Sequence, residues 1–227
     1  MALILSIETA TTICSVALHL DGEIRALNSY FLDKSHSSLL QPTIRKMMDD
    51  CSFNMADLSA IAVSMGPGSY TGLRIGVSAA KGLCYALDKP LIGINTLSAM
   101  AYGVRKNNVR SYWFCPMLDA RRMEVYTLLL DDQFNEIKVT HPLIVEEPPF
   151  SEYLDKQPVL FFGNGAGKCK EVIKHTNALF LDGIEPSAVY VGDLAYQKFQ
   201  SRSFEDLAYF EPYYLKEFKA TKPKVKV

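Results

Sequence analysis

Histidine is scarce in this chain. There are four among 227 residues (His19, His36, His141 and His175), no two of them three or four apart and none in a His-Glu-x-x-His run. That argues against the helix-borne zinc site of metal-dependent hydrolases. The five cysteines, Cys14, Cys51, Cys84, Cys115 and Cys169, are odd in number, widely spaced and free of any Cys-x-x-Cys. Free thiols in a reducing compartment are expected, not a disulfide framework. Neither sign of charge dominates: 24 basic residues stand against 25 acidic, net −1, so nothing global draws the chain to nucleic acid or an anionic surface. No apolar run reaches the roughly 18 residues of a membrane span. The opening MALILSIETATT has no basic leader and meets Glu8 early, so it reads as a strand and not a signal peptide. A soluble, cytoplasmic protein without membrane contact is expected. There is no Gly-x-Ser-x-Gly elbow, and Ser69 has no histidine or lysine near it in sequence to activate it.

What the chain does carry is an alternation of strands and helices, given twice. LILSIETATTICSVALHLDGEI reads as two strands, Leu3 to Ile7 and Cys14 to Leu20, with a third from Glu23 to Tyr30 after the Asp21-Gly22 turn. SHSSLLQPTIRKMMDDC opens with serines that can cap a helix and places Leu39, Leu40, Ile44, Met47 and Met48 at helical spacing, Pro42 falling in the first turn. Strand SAIAVSM, a glycine loop, a helix from Gly72 to Leu87, strand PLIGI and helix TLSAMAYGV follow. The second half opens the same way. YWFCPMLDARRMEVYTLLLDDQFNEI sets Leu118-Asp119 on Ile7-Glu8 and Val125 to Asp131 on Cys14 to Leu20. After Pro148-Pro149 come a helix, strand PVLFFG, loop NGAGK, a helix to about Asn177, and a last helix from Ser187 to about Ser201. The expectation is an α/β, internally duplicated fold. Its two lobes, 1–105 and 106–215, each hold a mixed sheet flanked by helices, and a basic tail, 216–227, follows. Duplicated folds with an acid closing the first strand of each half include the actin, Hsp70 and sugar-kinase architecture (ASKHA).

The loop SMGPGSYTGLRIG departs from both well-specified phosphate motifs. Thr71 stands where a dinucleotide fingerprint needs its third glycine, and Leu73-Arg74 follow Gly72 where a Walker A loop needs Lys and then Ser or Thr. GNGAGK misses the Walker spacing by one residue and has Cys169 in the Ser/Thr place. In the helix after the first loop, Gly72, Gly76 and Ala80 lie four apart, as do Ile75, Ala79 and Leu83. Each mid-helix glycine costs about 1 kcal/mol, which close packing against another helix would offset. Two further features stand out. Glu8 and Asp119 could face one another across a cleft, as the paired acids of the duplicated fold do, or each could be a turn acceptor at its strand end, and Arg121 and Arg122 on a hairpin turn beside Glu124 suit an ion-pair network or a polar partner surface.

SIETATTICSVAL, AVSMGPGSYTGLRIGVSAAKGL, LIGINTLSAMA, LDARRMEVY, GNGAGK and EPYYLK together resemble the TsaB (YeaZ) family, in order, from Leu3 to about Lys216. The resemblance implies the actin-like fold and a non-catalytic subunit without cofactor or metal. Its implied partners are a TsaD-like catalytic paralogue, a TsaE-like ATPase, a second copy in a homodimer, and tRNA only through the complex. The implied reaction is threonylcarbamoylation of the adenosine beside the anticodon in tRNAs reading ANN codons. The implied pairing surface is the two helices near 37–50 and 71–87, with Leu39, Leu40, Ile44, Met47, Met48, Gly72, Ile75, Gly76, Ala79 and Leu83. A bulky or charged residue at Gly76 or Ala79 is then expected to block pairing without unfolding the chain. The rival reading is an actin-fold ATPase or phosphotransferase using Glu8 and Asp119. A third possibility is that the lysines from Lys216 onward touch tRNA directly.

Overall fold

The computed structural model describes residues 1–32, 36–108, 110–146 and 149–216. The basic tail therefore lies outside the described residues, apart from Lys216. The first half gives β1 (Leu3–Glu8), β2 (Ile13–Leu20), β3 (Glu23–Phe31), α1 (His36–Asp50), β4 (Ala60–Gly66), α2 (Tyr70–Leu87), β5 (Leu91–Asn95) and α3 (Thr96–Lys106). The second gives β6 (Trp113–Asp119), β7 (Glu124–Leu130), β8 (Glu136–Ile144), the single turn α4 (Ser151–Leu154), β9 (Val159–Phe162), β10 (Ala178–Leu181) and α5 (Ala188–Gln200).

The two sheets run β3-β2-β1-β4-β5 and, written in the same sense, β8-β7-β6-β9-β10. In each, the first strand pairs antiparallel with the second and parallel with the fourth. The duplication read from the two hairpins is thus the same topology twice, a two-lobed fold of the actin-like type. β1 alternates between its faces. Leu3, Leu5 and Ile7 join Leu40, Ile44, Met47, Met48, Val77 and Cys84 under α1 and α2, while Ile4 faces α3 and α5 with Ala60, Ala62, Val191 and Ala195.

A boundary at 105/106 separates the sheets but not the helices. α3, from the first half, lays Leu97, Met100 and Val104 on Phe114, Leu118, Leu128 and Phe162 of the second sheet. α5, from the second half, packs on β1, β2, β4 and β5. Each lobe therefore borrows a helix from the other half of the sequence.

Three local readings need correction. Pro42 is the seventh residue of α1, beyond the first turn, and stands on the exposed side, where a missing N–H is cheapest. The helix expected to reach Asn177 is instead one tight 3₁₀ turn at Gly167–Cys169 followed by irregular turns. The stretch holds Val172, Ile173, His175, Thr176 and Asn177, all weak helix formers. The short edge strand β10 had no sequence signal beyond four apolar residues.

Candidate functional site

The first glycine loop is filled by the chain's own groups. Ser69 caps α2, its Oγ accepting from Gly72 N at 3.3 Å, so its hydroxyl serves the helix end and not a nucleophile. Ser69 N donates to Ala10 O at 2.6 Å, and Thr9 Oγ1 donates to Gly72 O at 2.9 Å. A Cβ on Gly68 would overlap Ala10, one on Gly72 would overlap Thr9 O, and one on Gly76 would overlap Thr9 Oγ1. The small flank of α2 does permit a close approach, but what approaches is the Thr9–Ala10 turn after β1, not a helix. From the other side Tyr213 N donates to Met65 O at 2.7 Å, and the Tyr213 carbonyl lies 2.8 Å from where a Gly66 Cβ would stand. Gly66 has φ +117°, open to glycine alone. Residues 205–214 form a strap across this region. Phe210 is in the core beneath α2, Lys81 donates to Phe210 O at 2.8 Å, and Tyr214 stacks on Tyr70 with centroids 4.7 Å apart.

Glu8 lies beneath this loop with none of its surface exposed. Its Oε1 accepts from Ala10 N at 2.6 Å, while Oε2 is shut away from water among the buried hydroxyls of Ser6, on the same strand, and Ser64, on the adjacent β4. Burial pushes the carboxyl up to about 7, against the opposing pull of Ala10 N–H, Ser64 and Thr9 N–H. Asp119, its counterpart at the end of β6, is half exposed and tied to Lys168. The two acids sit in unlike environments, one protonated at mildly acidic pH and the other an ion-paired carboxylate.

The second glycine loop repeats the first. Gly165 N donates to Met117 O at 3.0 Å, Asn164 Oδ1 accepts from Asp119 N at 2.9 Å, and a Cβ on Gly163 would overlap Met117 O. Lys168, the lysine of the near-Walker sequence, donates to Asp119 Oδ1, to Arg122 O at 2.7 Å and to Glu124 O at 2.7 Å. An ammonium has three N–H donors, and all three are taken. In both lobes the loop after the strand beside the central one closes over that central strand's end.

The residues expected to make a partner surface divide into two groups. Leu40, Ile44, Met47, Met48, Gly72 and Gly76 are buried inside the first lobe. Helical spacing found the face of α1 and α2 that meets the sheet, because the core-facing stripe is the strongest periodic signal on any amphipathic helix. Leu39, Ile75, Ala79 and Leu83 are half-buried and remain at the surface of these helices. Around them α2 exposes Arg74, Ser78, Gly82, Tyr85 and Ala86. Tyr85 is 83% exposed, and a Cβ on Gly82 would meet nothing within 4 Å. Gly82 is the residue that sequence reasoning missed. It is a helix-interior glycine that packing inside the chain does not require. Among the described residues no group of three or more His, Cys, Asp or Glu is arranged to hold a metal, and no helix is long and apolar enough to cross a membrane. The five cysteines are free thiols, all but Cys51 buried.

The repeated sheet and crossed helices define a chain of the actin-like ATPase (ASKHA) fold class, and solved structures agree. YeaZ from Pseudomonas aeruginosa superposes with a TM-score of 0.82 at 23% identity, over 95% of this chain and 100% of that one. An activator of 2-hydroxyisocaproyl-CoA dehydratase from Clostridium difficile, solved with bound ADPNP, reaches 0.54 at 9% identity, over 88% and 97%. The family model described as TsaD, tRNA N6-adenosine threonylcarbamoyltransferase, matches residues 31–226. The tRNA threonylcarbamoyladenosine biosynthesis protein TsaB of Escherichia coli is 32% identical over 94% of both chains, and that of Bacillus subtilis 32% over 75% of both. The chain belongs to the TsaB family.

Proposed function

We propose that this chain is a non-catalytic subunit of tRNA threonylcarbamoyladenosine biosynthesis, which binds and positions a TsaD-type catalytic partner through the outer face of α1 and α2. The TsaB relatives carry that pathway in their names. The observation that carries the reading is the state of the two glycine loops. Both loops that come nearest to phosphate-binding sequences are packed with this chain's own backbone, and Lys168 has no donor left over. The face left for a partner is the half-buried row Leu39, Ile75, Ala79 and Leu83 beside the open Gly82. Helices approach one another closely where such small residues lie. A TsaE-like ATPase and a homodimer through the same face belong to the same reading.

The test is light scattering after size exclusion of the chain mixed with the TsaD of its own organism, with ATP and TsaE supplied in a parallel run. The wild type is expected to form a one-to-one complex. Ala79→Arg and Gly82→Leu are expected to abolish it while leaving a folded monomer. Gly76→Leu is unsuited to this test, since its side chain would meet Thr9 inside the lobe. Undiminished association by both variants would refute the surface. ATP turnover by the isolated chain that is lost in Glu8→Ala would favour the enzyme reading instead.

A further inference from the structure

The strap over the first lobe, residues 205–214, borders with Met65 an open cleft of about 640 Å³. Tyr209, Tyr213 and Tyr214 line it together with Glu205, Asp206 and Glu211, and none of its lining residues is basic. Glu211, Tyr213 and Tyr214 come from the EPYYLK run. Tyr209 is 84% exposed, so its ring is displayed and not packed. The backbone that carries these side chains is pinned. Glu205 N donates to Leu91 O at 2.9 Å, Phe210 N to Asp206 O at 2.8 Å, and Lys81 of α2 donates to both Ala208 O and Phe210 O. Two of the acids are engaged within the chain. Asp206 Oδ1 accepts from Ala208 N and Tyr209 N at 2.9 and 3.3 Å, and Glu205 lies 3.8 Å from Lys198. Glu211 is exposed and forms no ion pair among the described residues.

The cleft adjoins the face of α2 assigned above to a partner. Tyr214 stacks on Tyr70, the first residue of α2, and the Arg74 guanidinium lies 5.5 Å from the centroid of the Tyr70 ring. Tyr70, Arg74 and Lys81 are four and seven residues apart, so they mark the flank of α2 on which the strap lies. Ile75, Ala79 and Leu83 form the row on the other flank, and the exposed Ser78, Gly82 and Tyr85 stand between the two. A helix laid along that band has the cleft at its side.

We infer that this cleft receives an arginine side chain of the partner docked on α1 and α2, its guanidinium stacked on the strap's tyrosines and paired with Glu211. An arginine meets both parts of the lining at once, because its planar guanidinium is attracted to a tyrosine face and its N–H fork matches a carboxylate. Arg74 over Tyr70 shows the same pairing inside the chain, at the cleft's edge. An apolar anchor would desolvate Glu211 without giving it a partner, and an acidic one would meet three carboxylates. A strap whose backbone is already held loses little freedom on binding. The inference rests on the scaffold reading proposed above and adds to it a second point of contact with its own chemistry.

The test titrates fluorescently labelled TsaD of the same organism with the full chain at about 50 and 200 mM salt. Glu211→Gln and Tyr209→Ala change exposed side chains outside the core, so their urea midpoints are expected to match that of the wild type. Each is expected to raise Kd about tenfold, and the gap between wild type and Glu211→Gln is expected to narrow at the higher salt. Glu211→Arg is expected to weaken binding about a hundredfold and to recover it with one arginine-to-glutamate variant of TsaD. Kd values within about twofold of the wild type for both Glu211→Gln and Tyr209→Ala, while Ala79→Arg still abolishes the complex, overturn the inference and leave the scaffold reading standing. Weakening by Glu211→Arg that no arginine-to-glutamate variant of TsaD restores also overturns it. Absence of any complex with the wild type overturns the scaffold reading, and the occupant of the cleft with it.

Discussion

Glu8 is a carboxyl group whose burial sets its protonation and therefore the way stability depends on pH. Below about pH 4.5 it is protonated in both the folded and the unfolded chain. Between there and about 7 the unfolded chain releases the proton while the folded chain keeps it, so stability falls as pH rises, and above about 7 the loss is complete. The difference is on the order of 3 kcal/mol. Glu8→Gln keeps the shape without the charge. Between pH 5 and pH 8 the wild type is expected to lose that much stability relative to the variant, read from urea midpoints. Parallel curves would mean that the ionised carboxylate suffers no penalty in place. Thr9, one residue on, explains the glycine at position 76. Gly76→Ala must displace the Thr9 hydroxyl and weaken its bond to Gly72 O, costing about 1 to 3 kcal/mol despite the better helix propensity of alanine. A midpoint equal to or above that of the wild type would show that Thr9 can turn away freely.

At the scale of elements, α2 shows what periodicity reveals and where it stops. Its C-terminal end and its apolar face were legible from the sequence, because core burial imposes a 3.6-residue period, whereas its cap, Ser69, was not. Which apolar residues stay at the surface of α1 and α2 was not legible either, since Leu40, Ile44, Met47 and Met48 satisfy the same spacing by facing the sheet. The outward side carries weaker marks, a glycine without a neighbour and a half-buried row beside it. The two hairpins and the acids that close β1 and β6 were also readable, because turn residues and apolar alternation are local. The commitment of Lys168 to Asp119, Arg122 O and Glu124 O was not, since those acceptors are brought to it by the fold from more than 40 residues away. Nor did DARRMEVY announce that both arginines would take left-handed backbone, where asparagine or glycine is the ordinary choice.

For the whole molecule, exchange of α3 and α5 between the halves makes the lobes interdependent. Trp113 is the single tryptophan and lies in the second sheet, so its emission reports that lobe while far-ultraviolet dichroism reports both. Their urea transitions are expected to coincide, since neither sheet keeps both faces covered without a helix from the other half. A separate, earlier tryptophan transition would mean that the lobes unfold independently. The same exchange bears on how the chain is made. The inner face of the first sheet waits for α5, and its outer helices wait for the strap that carries Phe210. At about 5 to 20 residues per second, the roughly hundred residues in between take on the order of 5 to 20 seconds to emerge from the ribosome. Throughout that interval Ile4, Ala60, Ala62, Ile92 and Ile94 have no α5 to cover them. The half that is synthesised first is thus completed last, and until then it presents an uncovered apolar sheet face for as long as synthesis of the second half takes.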